Sequence, residues 1–238
     1  MDLNCDLGEG EPEAHTEELM RWVTSANIAC AGHAGNALTM ERSLRQAKQQ
    51  NLRAGAHPGW PNPPDFGRSP ITPTAEQLET LLLHQIGALQ IIANALNHPL
   101  THVKLHGSLY HATERDSALA DRFVRWIQRW FPSLRIIAMA AGTVARAAKR
   151  AGHSCWEEAF LDRAYNADGS LVPRSSPNAV LSEIEVVHQR LERFKRFGEF
   201  LSLNGVPLPI RADTFCIHSD SQHALMIAKL ARESLPIH

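Results

Sequence analysis

His102-Val103-Lys104-Leu105-His106 opens the stretch HVKLHGSLYH (102–111) and sets two histidines and a lysine at every second position, with Val103 and Leu105 between them. A strand sends alternate side chains to opposite faces, so as a strand this stretch aims three ionisable groups one way. Other strand-like runs repeat the pattern. In 2–7, Asp2, Asn4 and Asp6 oppose Leu3, Cys5 and Leu7. In 53–57, Arg53, Gly55 and His57 oppose Ala54 and Ala56. In 154–160, Trp156 and Glu158 oppose Cys155 and Ala159, and in 213–218, Thr214, Cys216 and His218 oppose Phe215 and Ile217. An open sheet covered by helices on both faces reads as near-continuous apolar runs. A polar stripe on one face suits the inside of a barrel, with the apolar face against outer helices.

The spacing around these runs agrees. Strand-like runs also stand at 25–30 and 135–140, and the fourth run spans 101–106. Between most of them lie helix-like stretches at about 37–50, 75–97, 117–130, 142–151, 178–203 and 221–234. The clearest has Leu78, Leu82, Ile86, Leu89, Ala93 and Leu96 at helical spacing, behind a capping box from Thr74 to Gln77. Strands alternating with helices imply parallel strands and an α/β (β/α) barrel. No repeat, low-complexity tract or linker-like break appears, so one domain over 1–238 is expected.

Composition excludes several classes. Of 238 residues 44% are hydrophobic, enough to bury a real core. A formal net charge of −1 and the lack of any long like-charge run argue against nucleic acid or an acidic membrane surface as partner. No stretch approaches a membrane span, and no basic start followed by an apolar run marks a signal peptide. Cys5, Cys30, Cys155 and Cys216 form no CxxC pair and fall in core strands, so they read as small buried hydrophobes in a reducing, cytoplasmic setting.

Polar residues gather at one end of the strands. Asp6, His33, His57, His106, Glu158, His218 and Asp220 all lie at or just past a strand's C-terminal end, where (β/α) barrels build their chemistry. Each has a plain reading: Asp220 and Asn36 as helix caps, Lys104 as a structural ion pair with Asp2 or Glu158. Recurrence at the same end of five or six strands outweighs these readings together. The loop HPGWPNPPDFGRSPITP (57–73), with six prolines from Pro58 to Pro73, is long, stiff and without regular structure. It carries Trp60, Asp65, Phe66 and Arg68 over the mouth. The loop after the sixth strand offers Arg163 and Arg174, and arginine suits a small carboxylate through two parallel hydrogen bonds.

A series of motifs occurs in order: DLNCDLGE (2–9), SANIACAGHAGN (25–36), GAHPGWP and FGR (55–61, 66–68), QIGAL (85–89), HVKLHGSLY (102–110), EEAFLDRAY and GSLVPR (157–165, 169–174) and CIHSD (216–220). In this the chain resembles the LamB/YcsF family, that of the A subunit of 5-oxoprolinase, over nearly its whole length. The resemblance implies a (β/α) barrel with seven strands, related to the polysaccharide-deacetylase barrels. It implies cleavage of 5-oxoproline to glutamate coupled to ATP hydrolysis, and two partner subunits resembling the halves of an allophanate-hydrolase-like carboxylase component. The chain departs from the family pattern in places. The usual Cys-Gly-Phe-His-Ala-Gly-Asp reads Cys30-Ala-Gly-His-Ala-Gly-Asn36, Lys-Pro-His-Gly reads Lys104-Leu105-His106-Gly107, and His-Gly-Asp reads His218-Ser219-Asp220. The rim persists at Asn4, Asp6, His33, His57, Lys104, His106, Glu158, Arg163, His218 and Asp220.

For a five-membered lactam, ATP can activate the amide oxygen by phosphorylation. The sequence has no Gly-Lys pair and so no Walker A loop, which fits a subunit that binds the lactam and hydrolyses an activated form, with the ATP site on one of the partners the resemblance implies. Asp6 or His57 is then the expected general base, His106 the acid and Lys104 the stabiliser of developing negative charge. Asn4, His33, Arg68, Glu158, Arg163, Arg174, His218 and Asp220 are the expected substrate contacts. Two other classes stay open. One is a metal-dependent amide or ester hydrolase, with a divalent ion on Asp6, His57 and His106. The other is a non-catalytic subunit that presents a small ligand to its partners.

Overall fold

A computed structural model describes residues 1–236. The first half of the chain runs β1 (Asp2–Leu7), α1 (Glu13–Met20), β2 (Ser25–Ala29), α2 (Ala37–Gln49), β3 (Arg53–His57), a 3-10 turn (Pro63–Asp65), α3 (Ala75–Ala95), β4 (His102–Lys104) and α4 (Gly107–Arg115). The second half runs α5 (Ser117–Trp130), β5 (Arg135–Met139), α6 (Thr143–Ala151), β6 (Cys155–Phe160), α7 (Ile184–Phe197), β7 (Glu199–Leu201), β8 (Pro207–Pro209), β9 (Thr214–His218) and α8 (Ala224–Ser234). Seven strands close a barrel in the order β1-β2-β3-β4-β5-β6-β9, every pair parallel. The (β/α) barrel implied by the period-two polar face is therefore the fold.

The alternation sorts the two faces as the sequence dictates. Leu3, Cys5, Ala26, Ile28, Ala54, Val103, Ile136, Ala159, Phe215 and Ile217 are buried in the apolar core with the helices. Their alternates build a hydrogen-bonded interior. Asp2 accepts from Thr24 Oγ1 at 2.7 Å and Ser25 Oγ at 2.6 Å. Asn27 Nδ2 donates to Asn4 Oδ1 and Asp6 Oδ1, each at 2.7 Å, and His102 Nε2 lies 2.8 Å from Asn27 Oδ1. Buried polar groups persist only when paired in this way. Gly55 makes room for the His102 ring, since a Cβ there would lie 2.1 Å from ring atoms. At the N-terminal end of the barrel, the guanidinium groups of Arg53 and Arg135 lie 5.3 and 4.0 Å from the Trp156 ring.

Several boundaries differ from the sequence reading. β4 ends at Lys104, because the His106 N–H turns out of the sheet to Pro58 O at 2.9 Å and His106 becomes the N-cap of α4. The helix expected over 178–203 is only α7. It stops at Gly198 in the left-handed region (φ 68°), where glycine is the usual residue, and the chain returns as the β7–β8 hairpin. Helices α1 and α4 follow no strong apolar periodicity and were not anticipated. Asn36 is a cap, with Thr39 completing the box, and the Thr74–Gln77 box opens α3. Asp220 is not a cap: α8 begins after His223. Cys30 lies just past β2, and all four cysteines are free thiols, Cys155 half-buried and the others buried. Among the described residues no helix is long and apolar enough to cross a membrane.

Candidate functional site

The strand ends deliver their polar side chains to one buried cluster. Lys104 Nζ lies 3.0 Å from Asp6 Oδ1, 3.1 Å from Glu158 Oε2, 3.3 Å from Asn4 Oδ1 and 3.0 Å from Cys216 Sγ. Just above it, His57 Nε2 is 3.3 Å from Asp6 Oδ2 and 3.0 Å from His106 Nδ1. Glu9 Oε1 completes the group, 2.8 Å from His33 Nε2, 3.1 Å from His106 Nδ1 and 3.5 Å from His57 Nε2. The His33 ring stacks on His106 with centroids 3.6 Å apart and planes 2° from parallel. Asp6, His57, Lys104 and His106, expected to converge, do so.

Burial and charge set the protonation states. Burial disfavours the Asp6 and Glu9 carboxylates, yet both stay well below their usual range: His57 and Lys104 hold Asp6, and His106 and His33 hold Glu9. Burial opposes the His57 charge as well, but Asp6 raises its pKa. At His106 burial outweighs the pull of Glu9 and lowers the pKa, and at His33 burial lowers it to about 4. Lys104, despite burial, is held charged by Asp6. Glu158 goes the other way. Burial raises its pKa even beside Lys104, neither oxygen makes a well-formed hydrogen bond, and Asp6 is the carboxylate that answers the lysine.

The proline-rich loop closes over this cluster. Gly59 donates to Gln85 Oε1 at 3.0 Å and accepts from Gln85 Nε2 at 2.8 Å, so α3 fixes the loop's base. Ser108 N and Oγ both donate to Gly67 O. Phe66, held at φ 60°, packs edge-on against His33 and His106, and Arg68 lies over its ring at 4.6 Å. Beside this lid a cavity of about 380 Å³ is lined by Glu9, Glu11, Phe66, Arg68, Ser219 and Asp220. A larger groove of about 630 Å³ runs behind Gly32 between Trp60 and His84 and includes none of the cluster's side chains. The smaller cavity borders Glu9 of the cluster and the rim residues Arg68 and Asp220, so it is the better candidate for a substrate's entry.

The remaining expected residues divide. Arg68 and Arg174 both reach Asp220, at 2.6 and 3.0 Å, on the rim of the mouth. His218 is oriented by Asp162, which accepts from its Nδ1 and its backbone N, each at 2.9 Å, and from Ser221 Oγ at 2.7 Å. His218 Nε2 is 3.8 Å from Asp6 Oδ2. Asn4 belongs to the interior network. Arg163, expected at the mouth, instead donates to Val172 O at 2.7 Å and to Ala179 O at 3.3 Å, the latter shared with the Ala164 N–H at 2.9 Å, and braces its own loop. The expected metal trio also rearranges. His57 and His106 group with Glu9 and His33, whereas Asp6 groups with Cys216 and His218; either set could hold a metal ion. Glu9 and Asp162 were missed as site residues. Each lies two residues beyond a strand's C-terminal end, and that position was the available signal.

Comparison with known proteins is consistent across the chain. The sequence profile of the LamB/YcsF family matches residues 1–237. The A subunit of 5-oxoprolinase from Pyrococcus abyssi is 40% identical over 99% of this chain and 93% of its own length. Its counterpart from Erwinia tasmaniensis is 40% identical over 100% of this chain and 96% of its own. A crystal structure of a lactam utilization protein from Thermus thermophilus superposes with a TM-score of 0.88 at 35% identity, covering 99% of this chain and 95% of that one.

Proposed function

The chain belongs to the LamB/YcsF family, and from that premise we propose that it is the lactam-handling subunit of an ATP-dependent 5-oxoprolinase. It acts as one (β/α)-barrel domain in the cytoplasm, with partner subunits that resemble the halves of an allophanate-hydrolase-like carboxylase component and supply the ATP site. The observation that carries the reading is the convergence of Asp6, His57, Lys104 and His106 from three strand ends on one buried cluster beneath a rim of arginines. The relatives named as the A subunit of 5-oxoprolinase, similar along the whole chain, supply the substrate class.

In this reading ATP on a partner phosphorylates the ring amide oxygen and releases ADP. Water then adds to the activated ring carbon, and the C–N bond breaks with a proton delivered to nitrogen to leave the side-chain carboxyl of glutamate as its acyl phosphate. A second water cleaves that acyl phosphate to glutamate and phosphate. Asp6 is ionised beside His57 and His218 and accepts the proton of the attacking water. His57 carries the proton that the leaving nitrogen needs, since Asp6 keeps its pKa raised, and neutral His106 relays it across their 3.0 Å contact. Lys104 faces the developing negative charge. Arg68 and Arg174 take the substrate carboxylate once they release Asp220.

The test is reconstitution. The chain combined with its partner subunits, ATP and 5-oxoproline should release glutamate and phosphate in step, and His106→Ala in the same complex should lose most turnover. ATP-dependent glutamate release by this chain alone would contradict the division of labour, and near-normal turnover by His106→Ala would remove the cluster from catalysis.

A further inference from the structure

Two ring nitrogens face each other in the cluster at a distance that two neutral rings do not explain and that takes a cation between them, a proton or an ion. His57 Nδ1 is 2.8 Å from Lys104 O, and His106 Nε2 is 2.9 Å from Phe66 O. A carbonyl oxygen only accepts, so each of these nitrogens carries its ring's N–H. In the neutral rings His57 Nε2 and His106 Nδ1 are then both bare lone pairs, yet they stand 3.0 Å apart. Glu9 Oε1 lies 3.1 Å from His106 Nδ1 and 3.5 Å from His57 Nε2, and His33 Nε2 is 2.8 Å from that oxygen. Three ring nitrogens and a carboxylate oxygen, all buried and all within 4.8 Å of one another, share a space that calls for a cation.

We propose that Glu9 Oε1, His33 Nε2, His57 Nε2 and His106 Nδ1 form a binding site for one divalent transition-metal ion, of which zinc is the best chemical fit. Imidazole with a single carboxylate suits zinc and its neighbours, whereas calcium and magnesium take mostly oxygen ligands. Around a tetrahedral ion with bonds of about 2.0–2.1 Å, donor atoms stand roughly 3.3 Å apart. The distances around Glu9 and between His57 and His106, 2.8 to 3.5 Å, bracket that value. The supporting shell is present too, since metal-binding histidines typically donate their second N–H to a carbonyl or carboxylate, as His57 and His106 do. The His33 ring is fixed by its stack on His106 and by Gly59, where a Cβ would lie 2.3 Å from His33 Nδ1. Among the described residues that Nδ1 is buried without a partner, so nothing ties His33 to the Nε2–H tautomer except Glu9 itself.

The ion replaces the proton that His57 and His106 otherwise share, so the metal-loaded and proton-loaded forms exclude each other, and in the loaded form Asp6 and His218 are left to handle protons. The proposal rests on the lactam reading only for the use of the ion, because binding is measured without substrate. The full chain, purified without chelator, is assayed for metal, stripped, and titrated with Zn²⁺ by calorimetry and with Co²⁺ by absorption. We expect one ion per chain, an intense four-coordinate cobalt spectrum, and affinity at least ~100-fold weaker in Glu9→Gln and His106→Asn, beyond the loss typical of a supporting partner. His188→Ala, on an exposed face of α7, should bind as wild type and controls for binding by surface histidines. Wild type that takes up no ion, or gives only a weak six-coordinate spectrum, overturns the proposal even where a variant does not fold. Unchanged affinity in folded Glu9→Gln and His106→Asn overturns it equally. Protein inert towards 5-oxoproline in the assembled complex in both its loaded and its stripped form would count against the lactam reading and leave the ion site standing.

Discussion

Lys104→Met gives the sharpest test of how the barrel interior is held together. Lys104 and Asp6 have side chains only 2% and 3% exposed, and the ammonium touches Asp6, Glu158, Asn4 and Cys216 within 3.3 Å. Methionine keeps the stem and removes the charge, leaving the Asp6 carboxylate buried without its cation. Removing one partner of a buried pair costs about 3–5 kcal/mol. Asp6 retains Asn27 Nδ2 at 2.7 Å and His57 at 3.3 Å, so the lower end applies. Glu158 adds little, because burial already favours its neutral form. The expected loss is therefore about 3 kcal/mol, or a Tm lower by roughly 6–12 °C for a domain of this size. Urea denaturation followed by circular dichroism at pH 7 measures it. Adding Asp6→Asn to Lys104→Met should restore part of the loss, because the unpaired charge goes with it, with a coupling of about 0.5–3 kcal/mol. A single variant within about 0.5 kcal/mol of wild type, or a double variant no more stable than the single, refutes the electrostatic account.

Other consequences can be checked separately. Gly55→Ala should destabilise the fold by about 1–3 kcal/mol, since a methyl there meets the His102 ring; a thermal melt reads it. His106→Ala should lower turnover of the reconstituted complex by about 10²–10⁴-fold while its far-UV spectrum stays native. Asp162 is buried, which disfavours its charge, but His218 and Ser221 hold its carboxyl below the ordinary range. Its contribution is thus present above about pH 4 and lost as pH falls through the folded pKa, so the gap between wild type and Asp162→Asn should be full at pH 7 and close in acid. Glu114 shows the opposite sign. Burial raises its pKa to about 7 against the pull of the Thr143 N–H, so the native state gains a proton that the unfolded chain lacks between about pH 4.3 and 7. Wild type should therefore lose stability relative to Glu114→Gln across that window as pH rises, which denaturation at several pH values would show.

Much of this was legible one residue at a time. Period two needs only the pleat of a strand, so Asp2-Asn4-Asp6, His102-Lys104 and Thr214-Cys216-His218 announced a polar interior before any strand had a neighbour. The helix α3 and its capping box followed from local spacing in the same way. Short-range rules weakened where tertiary contacts decide. β4 is only three residues long because Pro58 O captures the His106 N–H, and Arg163 turns into its own loop, where Val172 O and Ala179 O accept from it. Glu9 and Asp162 carry no periodic signal, being single acids just past strand ends, and their importance exists only once the barrel closes.

The sequence by itself therefore determined which side chains face inward and at which end of the barrel chemistry gathers, since both depend on the chain's own covalent geometry. Closure of β9 onto β1 and β6 decided the rest. It set which of those groups touch, which are charged, and which pair of ring nitrogens is left facing across 3.0 Å, because hydrogen bonds, desolvation and mutual charge are properties of distances between strands that the sequence does not contain.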